Sequence, residues 1–165
     1  MTMWVFGYGS LLWNPGFEPV ETVTATLSGY HRSFCMLSIH HRGSVEQPGL
    51  VLALDAGDAI CTGVAFRVAV ELRERELISS AYEEAHLPLA LKDGRDVQAL
   101  AYVINRNHEQ YCQFDLEHQA QMIARSVGGR GPNPEYLYNT ADHLVKMGIH
   151  DPDMAWLVER VRVLT

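Results

Sequence analysis

The hydrophobic period of this chain changes once along its length, and that change limits what it can fold into. Up to Ile104 the apolar runs are short, β-branched and broken by turn residues. This pattern predicts strands at 4–8, 22–27, 32–38, 50–54, 63–70 and 97–104, with Asp93-Gly94 turning the chain into the last of them. From Asp115 onward the period becomes helical. Leu116, Ala120, Ile123 and Val127 fall on one face, ended by Gly128. Asn133 then supplies an N-cap and Pro134 the first helical position, where the missing N–H costs nothing. Leu137, Ala141, Leu144 and Val145 form the next stripe, stopped at Gly148. Asp151-Pro152 repeats the start signal for a helix burying Met154, Leu157, Val158, Val161 and Leu164. A segment at 71–80, rich in Glu, Arg and Leu, reads as one further helix. Strands first and helices later indicate an α+β domain, for which a small closed barrel with helices packed on it is a natural form. The 165 residues contain no repeat, low-complexity stretch or linker, so a single domain over 1–165 is expected.

Charge narrows the partners. The net charge is −7 and the 13 Lys and Arg residues do not cluster, whereas a nucleic-acid footprint needs a basic stripe that displaces counterions. The same balance speaks against binding to anionic membrane surfaces, and no run approaches the ~20 apolar residues of a span. The opening Met-Thr-Met-Trp-Val-Phe-Gly has neither a basic region nor a long apolar core, so it does not read as a signal peptide. Cys35, Cys61 and Cys112 are odd in number and lack CxxC spacing, which argues for free thiols rather than a zinc knuckle or disulfide framework. A reducing, cytoplasmic setting is expected. No heptad or apolar patch is legible, so a monomer is the default.

Four segments could carry chemistry. In Phe6-Gly7-Tyr8-Gly9-Ser10-Leu11, directly after a strand, alternating glycines let the backbone turn and expose successive N–H groups. Such a nest suits a carboxylate or a developing oxyanion, although a plain strand-to-loop turn has the same composition. It is not a nucleotide fingerprint, since GxGxxG spacing and a P-loop lysine are absent. Arg75-Glu76-Leu77 with Tyr82 offers a carboxylate that an apolar surrounding would turn into a general base. The competing reading is a solvated Glu among Glu71, Glu74, Glu83 and Glu84. His40-His41-Arg42-Gly43 ends a strand, and adjacent histidines on an extended chain face opposite ways. Neither these nor His31 has a carboxylate or cysteine at metal spacing, so no metal or other cofactor is expected. Arg42 reads either as an anion clamp or as a strand-end structural partner. The loop Gly128-Gly129-Arg130-Gly131-Pro132-Asn133 either holds an anion at a helix start or only shapes a turn. No GxSxG elbow supports a Ser-His-Asp hydrolase.

Taken in order, these segments resemble the ChaC-like γ-glutamylcyclotransferases. Residues 5–13 carry that family's opening V-F-G-Y-G-S-L-x-W, and Arg32, Phe34, Ser38, His41, Arg42 and Gly43, then Pro48-Gly49, match its next block. Residues 63–67 match G-V-A-[YF]-R, while Arg75, Glu76, Leu77, Ser80 and Tyr82 match R-E-M-x-x-G-x-Y. Gly128, Gly131, Asn133, Tyr136 and Leu137 complete the series. The resemblance implies a small mixed β-barrel with flanking helices and release of 5-oxoproline from a γ-glutamyl compound, typically glutathione, with no cofactor. It implies Glu76 as the acid/base residue, with Phe6, Gly7, Tyr8, Gly9, Ser10, Leu11, Arg42, Tyr82 and Tyr136 at the substrate. Two departures stand out. Between Val70 and Arg75 the chain is about two helical turns shorter than relatives, so counting forward from Gly63 would bring Glu84 to the glutamate position. Glu76 is preferred, because Tyr82, Leu87-Pro88 and Asp93-Gly94 then align without another gap. Ser80 also replaces the usual glycine. The shortened helix keeps two alternatives open: a cyclotransferase for another γ-glutamyl amine or peptide, and a non-catalytic γ-glutamyl-binding or regulatory domain.

Overall fold

The computed structural model describes residues 1–69 and 81–165. The helix expected at 71–80, including Glu76 and Ser80, lies outside the described residues. Element order is β1 (Thr2–Gly7), a 3₁₀ turn (Ser10–Leu12), β2 (Glu21–Ser38), β3 (Gly49–Ala69), β4 (Tyr82–Leu91), β5 (Asp96–Ile104), α1 (Leu116–Arg125), β6 (Val127–Gly128), β7 (Gly131–Pro132), α2 (Asn133–Lys146) and α3 (Pro152–Leu164). Five strands close into a mixed barrel in the order β1-β3-β2-β4-β5, and β6 and β7 form a separate two-stranded ribbon. The described chain divides into two compact units, Met1–Ser33 with Ala53–His108, and Phe34–Leu52 with Glu109–Thr165.

The first unit is built on strand pairing. β1 runs antiparallel to β3 from Thr2 opposite Ala69 to Gly7 opposite Val64, and parallel to β5 at Trp4–Ala99 and Val5–Leu100. Phe6, Val64, Ala65, Leu54, Leu89, Leu100 and Ala101 are buried here. β2 and β3 are each one long strand where the sequence predicts two. In β2 the break read at 28–31 is crossed with Gly29 at a φ of 90°, a value that costs glycine nothing. In β3 the polar stretch after Leu54 stays in the strand because the buried Asp55 carboxylate accepts from Arg106 Nε at 2.7 Å. The sequence did not signal β4, since Glu83, Glu84, His86 and Pro88 are exposed and apolar burial is confined to Leu89 and Leu91. Its strand character comes from a long antiparallel register with β5, Tyr82 opposite Ile104 through Ala90 opposite Asp96.

The second unit contains the three helices. Asp115 and Asp151 cap α1 and α3, accepting from His118 N at 2.8 Å and Met154 N at 3.1 Å. Ala120, Ile123, Leu137, Leu144, Met154, Leu157 and Val161 are buried, as the helical stripes predict. Leu116, Ala141 and Val158 are half-buried, and three stripe members are exposed. Val127 has left the helix for β6 and is exposed, Val145 is exposed, and Leu164 lies at the exposed end of α3. Thr140 takes the buried place that the stripe gave to Val145, its hydroxyl donating to Tyr136 O at 2.9 Å. Asn133 does not cap α2 with its side chain, which is used elsewhere. Among the described residues no helix is long and apolar enough to cross a membrane.

Candidate active site

In the first unit, β1 ends where side chains run out of room. A Cβ on Gly7 would lie 2.6 Å from the Phe66 ring, and one on Gly63 would lie 2.9 Å from the Phe6 ring and closer still to Gly7 O. Phe6, Gly7, Tyr8 and Gly9 are buried, and Ser10 is exposed. The Tyr8 hydroxyl donates to Tyr102 O on β5 at 3.0 Å. Beyond Gly9 the chain tightens into the 3₁₀ turn, with Leu12 N donating to Gly9 O at 2.9 Å and Asn14 N to Ser10 O at 2.7 Å. Among the described residues, none accepts the N–H of Gly9, Ser10 or Leu11. Three successive amides with no acceptor among those residues stand where the glycine spacing suggests an anion-binding nest.

One residue fixes this nest from outside it. Arg32 on β2 donates from Nε to Tyr8 O at 2.6 Å and from Nη2 to Thr62 O at 2.5 Å. The same edge of a planar guanidinium thus ties the nest to β3. Arg32 belongs to a block matched in the sequence, yet nothing there revealed which carbonyls it would reach.

The carboxylate expected to act with the nest, Glu76, lies outside the described residues. Tyr82 is half-buried and opens β4 opposite Ile104. Glu84 is exposed two residues further on, opposite Tyr102. With a spacing of two, Tyr82 and Glu84 share one face of the strand.

The second unit brings together the remaining candidates. Arg42 is buried; its N–H donates to Ser38 Oγ at 3.0 Å and its Nη1 to Pro132 O at 3.0 Å. Its guanidinium stands 3.5 Å from Glu135 and 5.8 Å from the centroid of the Tyr136 ring. The Tyr136 hydroxyl accepts from Leu52 N at 3.1 Å. Of the two readings open for Arg42, these contacts match the strand-end structural partner. The glycine loop shapes a turn: Gly129 N and Arg130 N donate to His40 O and His41 O at 2.7 and 2.9 Å, so those amides are spent. A Cβ on Gly128 would lie 2.5 Å from Gly43 N, and one on Gly43 would lie 2.5 Å from Ser38 O. Asn133 is fully buried and pairs with the Leu50 backbone like a strand, accepting from its N–H and donating to its C=O, both at 2.9 Å. Burial holds the His41 imidazole below its ordinary pKa, helped by the positive charges of Arg130, His40 and Arg42.

The barrel and its strand order define the class. A crystal structure of a yeast γ-glutamylcyclotransferase specific to glutathione superposes with a TM-score of 0.88 at 22% identity, covering 99% of each chain. The fold is that of the γ-glutamylcyclotransferases. The ChaC-like protein family model matches residues 3–164, and the chain belongs to that family. The glutathione-specific γ-glutamylcyclotransferase of Escherichia coli K12 is 38% identical over 172 residues, spanning 98% of this chain and 74% of that protein. The human glutathione-specific γ-glutamylcyclotransferase 1 is 33% identical, spanning 96% of this chain and 78% of that protein.

Proposed function

We propose that this chain is a γ-glutamylcyclotransferase acting on glutathione in the reducing interior of the cell, with Glu76 as its acid/base residue. The observation that carries the reading is the nest at 9–11, three successive amides with no acceptor among the described residues, in a member of the ChaC-like family. In this reaction the nucleophile is the substrate's own α-amine. Its nitrogen attacks the γ-carbonyl carbon, closing a five-membered lactam, and the bond from that carbon to the cysteine nitrogen breaks. Two protons leave the α-ammonium, one before the attack and one as the lactam N–H forms. Glu76 takes each in turn and gives it to the departing nitrogen, leaving 5-oxoproline and Cys-Gly with its amine as an ammonium. Atoms balance with no water consumed and no external nucleophile.

The chain's tasks are therefore to fold the substrate back on itself, to receive negative charge on oxygen, and to move two protons, one after the other. The amides of Gly9, Ser10 and Leu11 supply the second task, binding the α-carboxylate or the oxygen of the γ-carbonyl as charge develops there. Phe6, Gly7 and Tyr8 shape that turn, and Tyr82 orients the carboxylate or the substrate. Glu76 is assigned from the match of Arg75, Glu76, Leu77 and Tyr82 to the family motif.

Incubating the purified protein with glutathione and with a panel of γ-glutamyl amines tests the reading. It predicts 5-oxoproline together with Cys-Gly, with glutathione preferred. Turnover confined to another γ-glutamyl amine would reassign the substrate, and binding without turnover would make the chain a sensor rather than an enzyme.

A further inference from the structure

The Tyr8–Gly9 peptide has one edge held and the other without an acceptor among the described residues. Its carbonyl is gripped by Arg32 Nε at 2.6 Å, while Arg32 Nη2 holds Thr62 O at 2.5 Å. No cis peptide occurs among the described residues, so the Gly9 N–H lies on the opposite edge of the peptide plane from the Tyr8 carbonyl. Fixing one direction fixes the other. Glycine at position 9 adds no side chain to resist a peptide flip, so the plane needs an outside restraint. Thr62 lies next to Gly63, where the missing side chain lets β3 approach Gly7 closely. Arg32 thus clamps the peptide to the stretch of β3 that packs closely against β1.

We infer that Arg32 is a positioning residue for the reaction: by holding the Tyr8 carbonyl to β3 it aims the Gly9 N–H at a negatively charged oxygen of the γ-glutamyl group. The inference rests on the activity proposed above. A permanently charged donor on the carbonyl also polarises the peptide, so the Gly9 N–H is a stronger donor to an anion. Lysine cannot replace it, because one ammonium on a flexible stem does not span two carbonyls in a fixed fork.

The sequence offers a direct test. Of all its tyrosines only Tyr8 is followed by glycine, so labelling tyrosine carbonyl carbons and glycine nitrogens isolates the Gly9 amide as a single NMR signal. In the wild-type chain this signal should shift on adding 5-oxoproline. With arginine nitrogens labelled as well, Arg32 Nε–H should show scalar coupling across its hydrogen bond to the Tyr8 carbonyl. Absence of either overturns the inference even if every variant fails to fold. In Arg32→Lys and Arg32→Gln the Gly9 signal should move and stop responding to 5-oxoproline. kcat/KM for glutathione should fall about 10²-fold, the scale of a 1 Å misplacement, with the unfolding midpoint little changed. A rise in KM would identify the oxygen as the α-carboxylate, and a fall in kcat as the developing γ-oxyanion. Wild-type kcat/KM in Arg32→Lys, or lost activity with an unmoved Gly9 signal and a lowered midpoint, would leave Arg32 a purely structural residue. If the wild-type chain forms no 5-oxoproline from any γ-glutamyl compound, the activity reading fails, while the Gly9 signal still reports on Arg32.

Discussion

Glu76 and Glu84, eight positions apart, are the two carboxylates that compete for the acid/base role. Glu84 is exposed on β4, opposite Tyr102 of β5. Glu76→Gln should lower kcat by at least about 10²-fold, the lower end of acid/base help. Glu84→Gln should stay within a few-fold of wild type; steady-state 5-oxoproline formation by the two purified variants decides. The reverse ranking would move the acid/base role to β4. At Asn133 the expected effect is on stability. Removing its amide leaves both the N–H and the C=O of the buried Leu50 without their partner. Asn133→Ala should cost about 2–5 kcal/mol in urea unfolding, because each orphaned buried group carries its desolvation penalty. Residues of this kind were the least legible in the sequence. Asn before Pro reads as a helix cap, and only the approach of β3 reveals that Asn133 instead completes a strand. Arg32 was hidden for the same reason: its acceptors are backbone carbonyls, which carry no sequence signature.

At the scale of elements, the turn in the second unit behaves as one packed object. Gly128, Gly43 and Gly49 each lack room for a Cβ against backbone atoms, which cannot swing aside as a side chain can. Gly128→Ala should therefore destabilise by at least about 2 kcal/mol, read from the denaturation midpoint. The same turn holds His41, whose pKa is lowered chiefly by burial and then by Arg130, His40 and Arg42. The unfolded chain takes up this proton more readily than the folded one, so folding gains nothing from it at low pH. Stability present above the unfolded value of about 6.5 is lost as pH falls through the lower folded value. Thermal unfolding from pH 8 to 5 should show this decline, and His41→Asn should flatten it. Periodicity located the three helices because their buried stripes recur every three or four residues. It located β1 and β5 because their apolar runs are compact. It missed β4, whose pairing with β5 buries backbone but few apolar side chains, and it split β2 and β3 at polar stretches that a glycine at positive φ and the Asp55–Arg106 pair carry through.

For the whole molecule, the chemistry needs no thiol, and the thiols are placed accordingly. Cys35, Cys61 and Cys112 are free and buried, and burial pushes the Cys112 thiol up to about 11. In the native protein all three should react slowly with a thiol reagent at pH 8, then fully after denaturation; fast native labelling would contradict the packing. The proposed chemistry sets one simple requirement: bend a γ-glutamyl chain until its own amine reaches its own carbonyl. Turnover of glutathione in ¹⁸O-enriched water followed by mass spectrometry of the products tests that requirement most directly. The account predicts 5-oxoproline and Cys-Gly in equal amounts, with no ¹⁸O in either. Glutamate carrying ¹⁸O in its γ-carboxylate would mean that water is the nucleophile, and the account would be wrong.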